Sequence, residues 1–196
     1  NETRFFYLLE WSDKVIDIRE QFPLIHVDDT VAISEELGVR HPKDRENGTP
    51  YVLTTDFMIT VRENGKERNI ARTVKPAQDL EKKRIIEKFE IERRYWEKHG
   101  VEWGIVTEQD IPKELASNVE WIHSAYHLEA TNDYSRNDLA QIQDIMLRRI
   151  NDSEILVRNF TEAFDKEYKL DSGTSLYLLK NLIARKVVYV DMSSRI

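Results

Sequence analysis

Three side chains of complementary chemistry flank Asn64-Gly65, a dipeptide typical of two-residue hairpin turns. If Glu63 faces Lys66 across this turn, Asp56 faces Thr73, and Lys75 lies two residues further on the same face. A carboxylate, a hydroxyl and an ammonium group would then converge. This set suits metal-assisted hydrolysis of a phosphodiester, because a carboxylate can anchor Mg²⁺ and a lysine can orient water or neutralise charge on phosphate oxygens.

The same pattern has a simpler interpretation. Exposed Asp and Lys residues often pair across neighbouring strands without any catalytic role. A β-bulge would also shift the register by one residue and separate the carboxylate from the lysine. Spacing alone therefore leaves a catalytic site and an ordinary surface pair open.

The elements that would position these residues follow an α/β pattern over residues 1–126. The order is α-β-β-β-α-β-α, and the hairpin makes the sheet mixed. Apolar Ile85, Phe89 and Trp96 share one face of the helix after the hairpin. The predicted elements are a helix over 2–11, a strand over 15–19, a long loop with one short helix over 25–50, strands over 51–62 and 66–75, a helix capped by Asp79 and running to about 99, a strand over 101–107, and a helix from 112 to 126.

Residues 127–196 have a different, helical pattern. Helices are predicted over 135–150, 153–168 and 173–184, and a short strand over Val187–Val190. Three helices followed by a strand indicate a winged-helix-like domain. The last helix could read DNA, but its many leucines suit a protein-binding surface equally well, so both interpretations stay open.

Composition excludes several classes of protein. The chain has 196 residues, no cysteine and a formal net charge of −7. Disulfides, cysteine zinc sites and a thiol nucleophile are therefore excluded, and a reducing cytoplasm fits best. The acidic charge argues against non-specific coating of nucleic acid. No apolar run approaches the length of a membrane-spanning helix, so no membrane partner is expected.

Asp56 followed by Thr73-Val74-Lys75, within an αβββαβ core, resembles the PD-(D/E)xK, restriction-endonuclease-like superfamily. Longer segments are similar to one family, TnsA, the endonuclease subunit of heteromeric TnsABC transposases. The similar segments are 18–24 (IREQFPL), 55–57 (TDF), 74–77 (VKPA), 90–96 (EIERRYW) and 118–121 (NVEW).

The resemblance implies a role for particular residues. The family's catalytic glutamate on the first helix corresponds to Glu2, its metal-binding aspartate to Asp56 and its catalytic lysine to Lys75. The Val74 carbonyl is the implied additional metal ligand. The implied cofactor is Mg²⁺, with Mn²⁺ able to substitute.

Thr73 departs from the family pattern, because this position usually carries Glu or Gln. A neutral hydroxyl is a weaker Mg²⁺ ligand than a carboxylate. We therefore expect Thr73 to act through a water molecule, or a helix acid such as Glu87 or Glu90 to assist.

The resemblance implies a metal-dependent DNA endonuclease that hydrolyses the phosphodiester at the 5′ ends of a transposon in the bacterial cytoplasm. Its implied partners are transposon-end DNA, a DDE-type transposase subunit and an AAA+ ATPase regulator. One alternative is a non-cleaving assembly module that keeps the nuclease fold and bridges these partners. A free-standing nuclease of the same fold is a further alternative.

Overall fold

A computed structural model describes residues 1–130, 133–150 and 156–196. The chain divides into two compact units, Asn1–Ala116 and Ser117–Ile196. The helices and strands, in chain order, are α1 (Glu2–Trp11), β1 (Val15–Pro23), α2 (Val27–Glu36), β2 (Thr54–Glu63), β3 (Lys66–Val74), a short 3₁₀ helix (Ala77–Glu81), α3 (Lys83–Lys98), β4 (Glu102–Val106), α4 (Lys113–His123), α5 (Arg136–Ile150), α6 (Val157–Tyr168) and α7 (Thr174–Ala184).

The first unit is built on a four-stranded mixed sheet, which confirms the predicted fold class. The strand order is β1-β2-β3-β4. Strands β1, β2 and β3 are antiparallel neighbours, and β4 runs parallel to β3. Helix α3 connects β3 to β4, as a parallel pair requires.

The β2–β3 hairpin has the predicted turn and register. Asn64 and Gly65 have φ values of 52° and 75°, the left-handed conformation that a type I′ turn demands. Pairing starts at Glu63 opposite Lys66 and ends at Phe57 opposite Arg72. The ladder therefore stops one residue before Asp56.

Two apolar clusters cover opposite faces of the sheet, because Phe57 and Met58 are neighbours in β2 and side chains alternate along a strand. Phe57 belongs to the cluster that packs under Leu9 of α1. Met58 belongs to the cluster that contains Leu24 and, from α3, Trp96. Helices α1 and α3 thus enclose the sheet between them.

The short helix predicted within residues 25–50 is present as α2, ten residues long. One local prediction in this unit needs correction. Asp79 does not cap α3: the chain first makes a 3₁₀ turn, and the Asp79 carboxylate accepts a hydrogen bond from the Lys82 ammonium at 2.6 Å. Helix α3 begins after Lys82, which forms no side-chain cap.

The second unit contains helices α5, α6 and α7, and residues 153–155 of the predicted second helix lie outside the described residues. The strand predicted over Val187–Val190 is wrong, and the described part of this unit holds no strand that could form a wing. The amides of Val187 and Val188 both donate to the Leu182 carbonyl, so the chain folds back onto the end of α7.

The division between the units lies ten residues earlier than the boundary predicted at 126. It falls within α4. The Asn118 side-chain amide donates to the carbonyls of Met192 and Ser194, which lie in the same unit as Asn118. No helix in the described residues is long and apolar enough to cross a membrane.

Candidate active site

Asp56 lies where β2 separates from β3. Its Oδ2 accepts a hydrogen bond of 2.7 Å from the Val74 amide, and its Oδ1 faces the Gln21 carboxamide nitrogen at 3.4 Å. Backbone pairing between β2 and β3 has ended at this level, so the Asp56 carboxylate replaces a strand carbonyl as acceptor for Val74. The hydrogen bond from Val74 thereby fixes Oδ2, whereas Oδ1 makes only the longer contact with Gln21.

A buried glutamate of α3, Glu92, is hydrogen-bonded to Thr55 and Thr73, the residues that precede Asp56 and Val74. Glu92 is 6% exposed. Its Oε1 accepts hydrogen bonds from the Thr73 hydroxyl at 2.5 Å, from the Trp103 indole at 2.9 Å and from the Thr55 hydroxyl. The Trp96 indole in turn donates to Thr55 at 2.9 Å. Four side chains thus fix the position of one carboxyl group.

The pKa of Glu92 is raised, and the larger cause is burial, which penalises the charged form. The hydrogen bonds from Thr55, Thr73 and Trp103 act in the opposite direction, and the negative charge of Asp56 raises the pKa further. The Asp56 carboxylate thus disfavours the charged form of Glu92. A nearby cation would lower the free energy of both charged forms.

Thr73 does not meet Asp56 in the way the hairpin register predicted. Its buried hydroxyl donates to Glu92, and the part of β3 that contacts Asp56 is the next amide, that of Val74. The structure therefore brings Asp56 and Val74 together directly. Thr73 instead contacts Glu92.

Lys75 and Glu2 occupy less constrained positions. The Lys75 amide donates to the Val106 carbonyl, so the residue continues β3 alongside β4, and its side chain is half-buried. Glu2 is exposed in the first turn of α1. Within the described ranges, no hydrogen bond joins Glu2 to Asp56, Thr73 or Lys75.

The helix acids Glu87 and Glu90 are engaged elsewhere. Glu87 pairs with Arg84 at 3.0 Å. Glu90 pairs with Arg93 and Arg94, each at 2.8 Å, and the hydrogen bond from Arg93 is the largest cause of its low pKa, about 2. The helix acid that contacts Thr73 is instead Glu92, which the sequence interpretation overlooked.

A signal for Glu92 was present in the sequence. Ile85, Phe89 and Trp96 were predicted to share one face of the helix, and Glu92 lies three residues after Phe89 and four before Trp96. A carboxylate on an apolar helix face must find partners in the core. That argument identifies Glu92 as an acid buried in the core.

The donor set fits a hard divalent cation only in part. Carboxylate and carbonyl oxygens are the ligands that Mg²⁺ prefers, and two coupled carboxylates without a neighbouring lysine or arginine hydrogen bond meet that preference. Among the residues that the structure describes, no group of three or more His, Asp or Glu side chains could hold a metal ion. Further oxygens from the backbone, water or a phosphate would be needed.

Comparisons with known proteins agree along nearly the whole chain. Residues 12–108 match the family model described as "TnsA-like endonuclease N terminal", and residues 110–192 match the one described as "TnsA endonuclease C terminal". The Transposon Tn7 transposition protein TnsA of Escherichia coli is 36% identical over 185 residues. That alignment covers 93% of this chain and 64% of the length of the relative.

Proposed function

The chain belongs to the TnsA-like endonuclease family, and we propose that it is the metal-dependent DNA endonuclease subunit of a cut-and-paste transposase. The reaction proposed is hydrolysis of a phosphodiester at the 5′ ends of the transposon. The observation that carries this proposal is that the Asp56 carboxylate accepts a hydrogen bond from the Val74 amide, directly before Lys75, while Thr73 on the same strand donates to the buried acid Glu92.

Asp56 is the proposed anchor for the metal. The Val74 amide holds one of its oxygens and so sets the plane of the carboxylate. The Val74 carbonyl, Glu2 and Glu92 are the proposed additional ligands from this chain, and DNA phosphate or water would complete the set. The chemistry that Mg²⁺ or Mn²⁺ supplies in such sites is stabilisation of the negative charge that develops on the phosphate oxygens.

Lys75 is the proposed catalytic lysine. It follows Val74 directly, and the hydrogen bond from its backbone amide to the Val106 carbonyl of β4 fixes the position of its backbone. An ammonium group at this position can hold the attacking water by hydrogen bonding and neutralise charge on the phosphate. Attack in line with the leaving oxygen gives a 5′-phosphate and a free 3′-hydroxyl.

Thr73 has a supporting role in this proposal. Its hydroxyl donates to Glu92 and thereby helps to hold that carboxyl group in place. In this proposal Glu92 of α3 serves in place of the Glu or Gln that the resemblance implies at this position of β3. Thr73 itself is then not required as a ligand.

The proposed partners are transposon-end DNA, a DDE-type transposase subunit and an AAA+ ATPase. The printed name of the relative, a transposition protein, supports a role in transposition. The acidic net charge of −7 supports dependence on a basic partner that brings the DNA, because this chain alone offers little non-specific attraction for phosphate.

Calorimetric titration with Mn²⁺, without DNA and again with a short duplex, tests the metal site. The wild type should bind Mn²⁺, and Asp56→Asn should lose binding although its amide oxygen can still accept from Val74. Glu63→Gln, at the turn end of the same strand, is the matched control and should bind normally. Absence of binding by the wild type under both conditions would favour a non-cleaving assembly module.

A further inference from the structure

Gln21 of β1 has a backbone conformation that is unusual for its type. Its φ of 48° lies in the left-handed region, which residues other than glycine and asparagine rarely enter. The residue lies inside β1, between Glu20 opposite Phe57 and Phe22 opposite Thr55, so its place in the ladder is beside Asp56. Backbone strain of this kind clusters at functional sites.

The left-handed residue coincides with a change of face in β1. Ile18 packs with the cluster under α1, whereas Phe22 packs with the cluster under α3. Two residues separated by an even number should share a face in a regular strand. The alternation is therefore interrupted between them, where Gln21 lies.

Strand β2 changes face at the same level. Phe57 lies in the cluster under α1, but Thr55 hydrogen-bonds to Glu92 of α3. Asp56 is the residue between them. The two irregularities face each other across the β1–β2 ladder, and they leave the Gln21 and Asp56 side chains adjacent.

The carboxamide of Gln21 is oriented by two neighbours. The Thr54 hydroxyl donates to its Oε1 at 3.2 Å, and its Nε2 faces Asp56 Oδ1 at 3.4 Å. The acceptor-only carboxylate of Asp56 requires the amide nitrogen to face it, and the Thr54 hydroxyl, which can donate or accept, is compatible with that orientation. The contact with Asp56 is made to the oxygen that Val74 does not use.

We infer that Gln21 is a positioning residue for Asp56, and that its carboxamide holds Oδ1 of Asp56 in the orientation that a divalent cation requires. This inference rests on the proposed function of Asp56 as a metal anchor. Supporting residues that orient a metal ligand typically change metal affinity by about tenfold or more when removed. Gln21 thus acts through Asp56 and not on the substrate.

Two substitutions separate the side chain from the backbone conformation. Gln21→Ala removes the carboxamide and keeps the strain, whereas Gln21→Gly removes both, because glycine adopts positive φ without a steric cost. Both variants should bind Mn²⁺ about tenfold more weakly than the wild type. Gln21→Gly should nevertheless keep or raise the thermal midpoint of unfolding.

The overturning result is equally specific. If Gln21→Gly binds Mn²⁺ with wild-type affinity, only the backbone turn matters and the inference is wrong. Asp56→Asn, measured in parallel, tests the proposed function. If this variant binds Mn²⁺ as tightly as the wild type, or if the wild type binds no Mn²⁺, the proposal that Asp56 anchors a metal is wrong.

A metal-free measurement tests the contact independently. The side-chain amide signal of Gln21, assigned in a ¹H–¹⁵N spectrum by its absence in Gln21→Ala, should shift in Asp56→Asn and stay unchanged in Glu63→Gln. No shift in Asp56→Asn would overturn the inference whatever the outcome of the Mn²⁺ titrations.

Discussion

The carboxyl groups of Asp56 and Glu92 are both held in position by hydrogen-bond donors that are distant in sequence. Asp56 is placed by the hairpin, and the Val74 amide is its nearest partner. Glu92 arrives from α3, and three donors from β2, β3 and β4 meet its Oε1. A buried carboxyl with this many donors is costly to disturb, since each unsatisfied buried partner costs about 1–3 kcal/mol.

Substitutions at three positions should separate ligand from support. Thr73→Ala should retain part of the DNA cleavage, because Glu92 keeps its bonds to Thr55 and Trp103. Asp56→Asn and Lys75→Ala should each lose nearly all of it. Cleavage rates of the three variants, measured at equal concentrations of folded protein, check this order. Equal loss in all three would contradict a supporting role for Thr73.

At the level of elements, most of the sheet could be predicted from local signals. Asn64-Gly65 is a strong turn signal, and it determines the register from Glu63 to Phe57. The end of that ladder at Phe57 could not be predicted, because no turn or propensity signal marks the place where β2 leaves β3. Extending the hairpin register by one residue predicted Thr73 opposite Asp56. The ladder ends before that pair, and the Thr73 hydroxyl contacts Glu92.

The site was accordingly only partly accessible from sequence. Asp56 and Lys75 follow from the hairpin and the family resemblance. Glu92 was overlooked because α3 is rich in acids. The sequence alone does not distinguish a buried glutamate from glutamates that form surface ion pairs, such as Glu87 and Glu90. The wing predicted at Val187 failed because a short apolar run does not specify whether a partner strand exists.

The ion pairs of α3 give this helix a predictable response to pH. The pKa of Glu90 is lowered from 4.5 to about 2 in the folded chain, chiefly by the hydrogen bond from Arg93. A lowered folded pKa stabilises the fold above the unfolded value, and this contribution is lost as pH falls from about 4.5 to about 2.

Glu90→Gln should therefore destabilise the chain at pH 7 by about 1 kcal/mol, a small value because solvent screens the 41% and 40% exposed side chains of Arg93 and Arg94. Chemical denaturation at several pH values checks the prediction. The difference from the wild type should disappear near pH 2, and a difference independent of pH would contradict it.

On the scale of the whole molecule, we assign the proposed catalytic and partner-binding functions to different units. All residues proposed for catalysis lie in Asn1–Ala116, and Ser117–Ile196 is helical in its described part. The second unit is the proposed region for contacts with DNA or with partner subunits. The acidic charge of the chain makes cleavage inside a complex more plausible than independent cleavage.

Strand-specific cleavage of transposon-end DNA in a reaction reconstituted with the partner subunits tests the central claim most directly. The wild type should cut the 5′ ends in Mg²⁺ and leave a 5′-phosphate and a 3′-hydroxyl. Asp56→Asn should assemble with the same partners and leave these ends uncut, while Glu63→Gln cuts normally. Cleavage by Asp56→Asn at the wild-type rate, or complete assembly without 5′ cleavage by the wild type, would contradict the account.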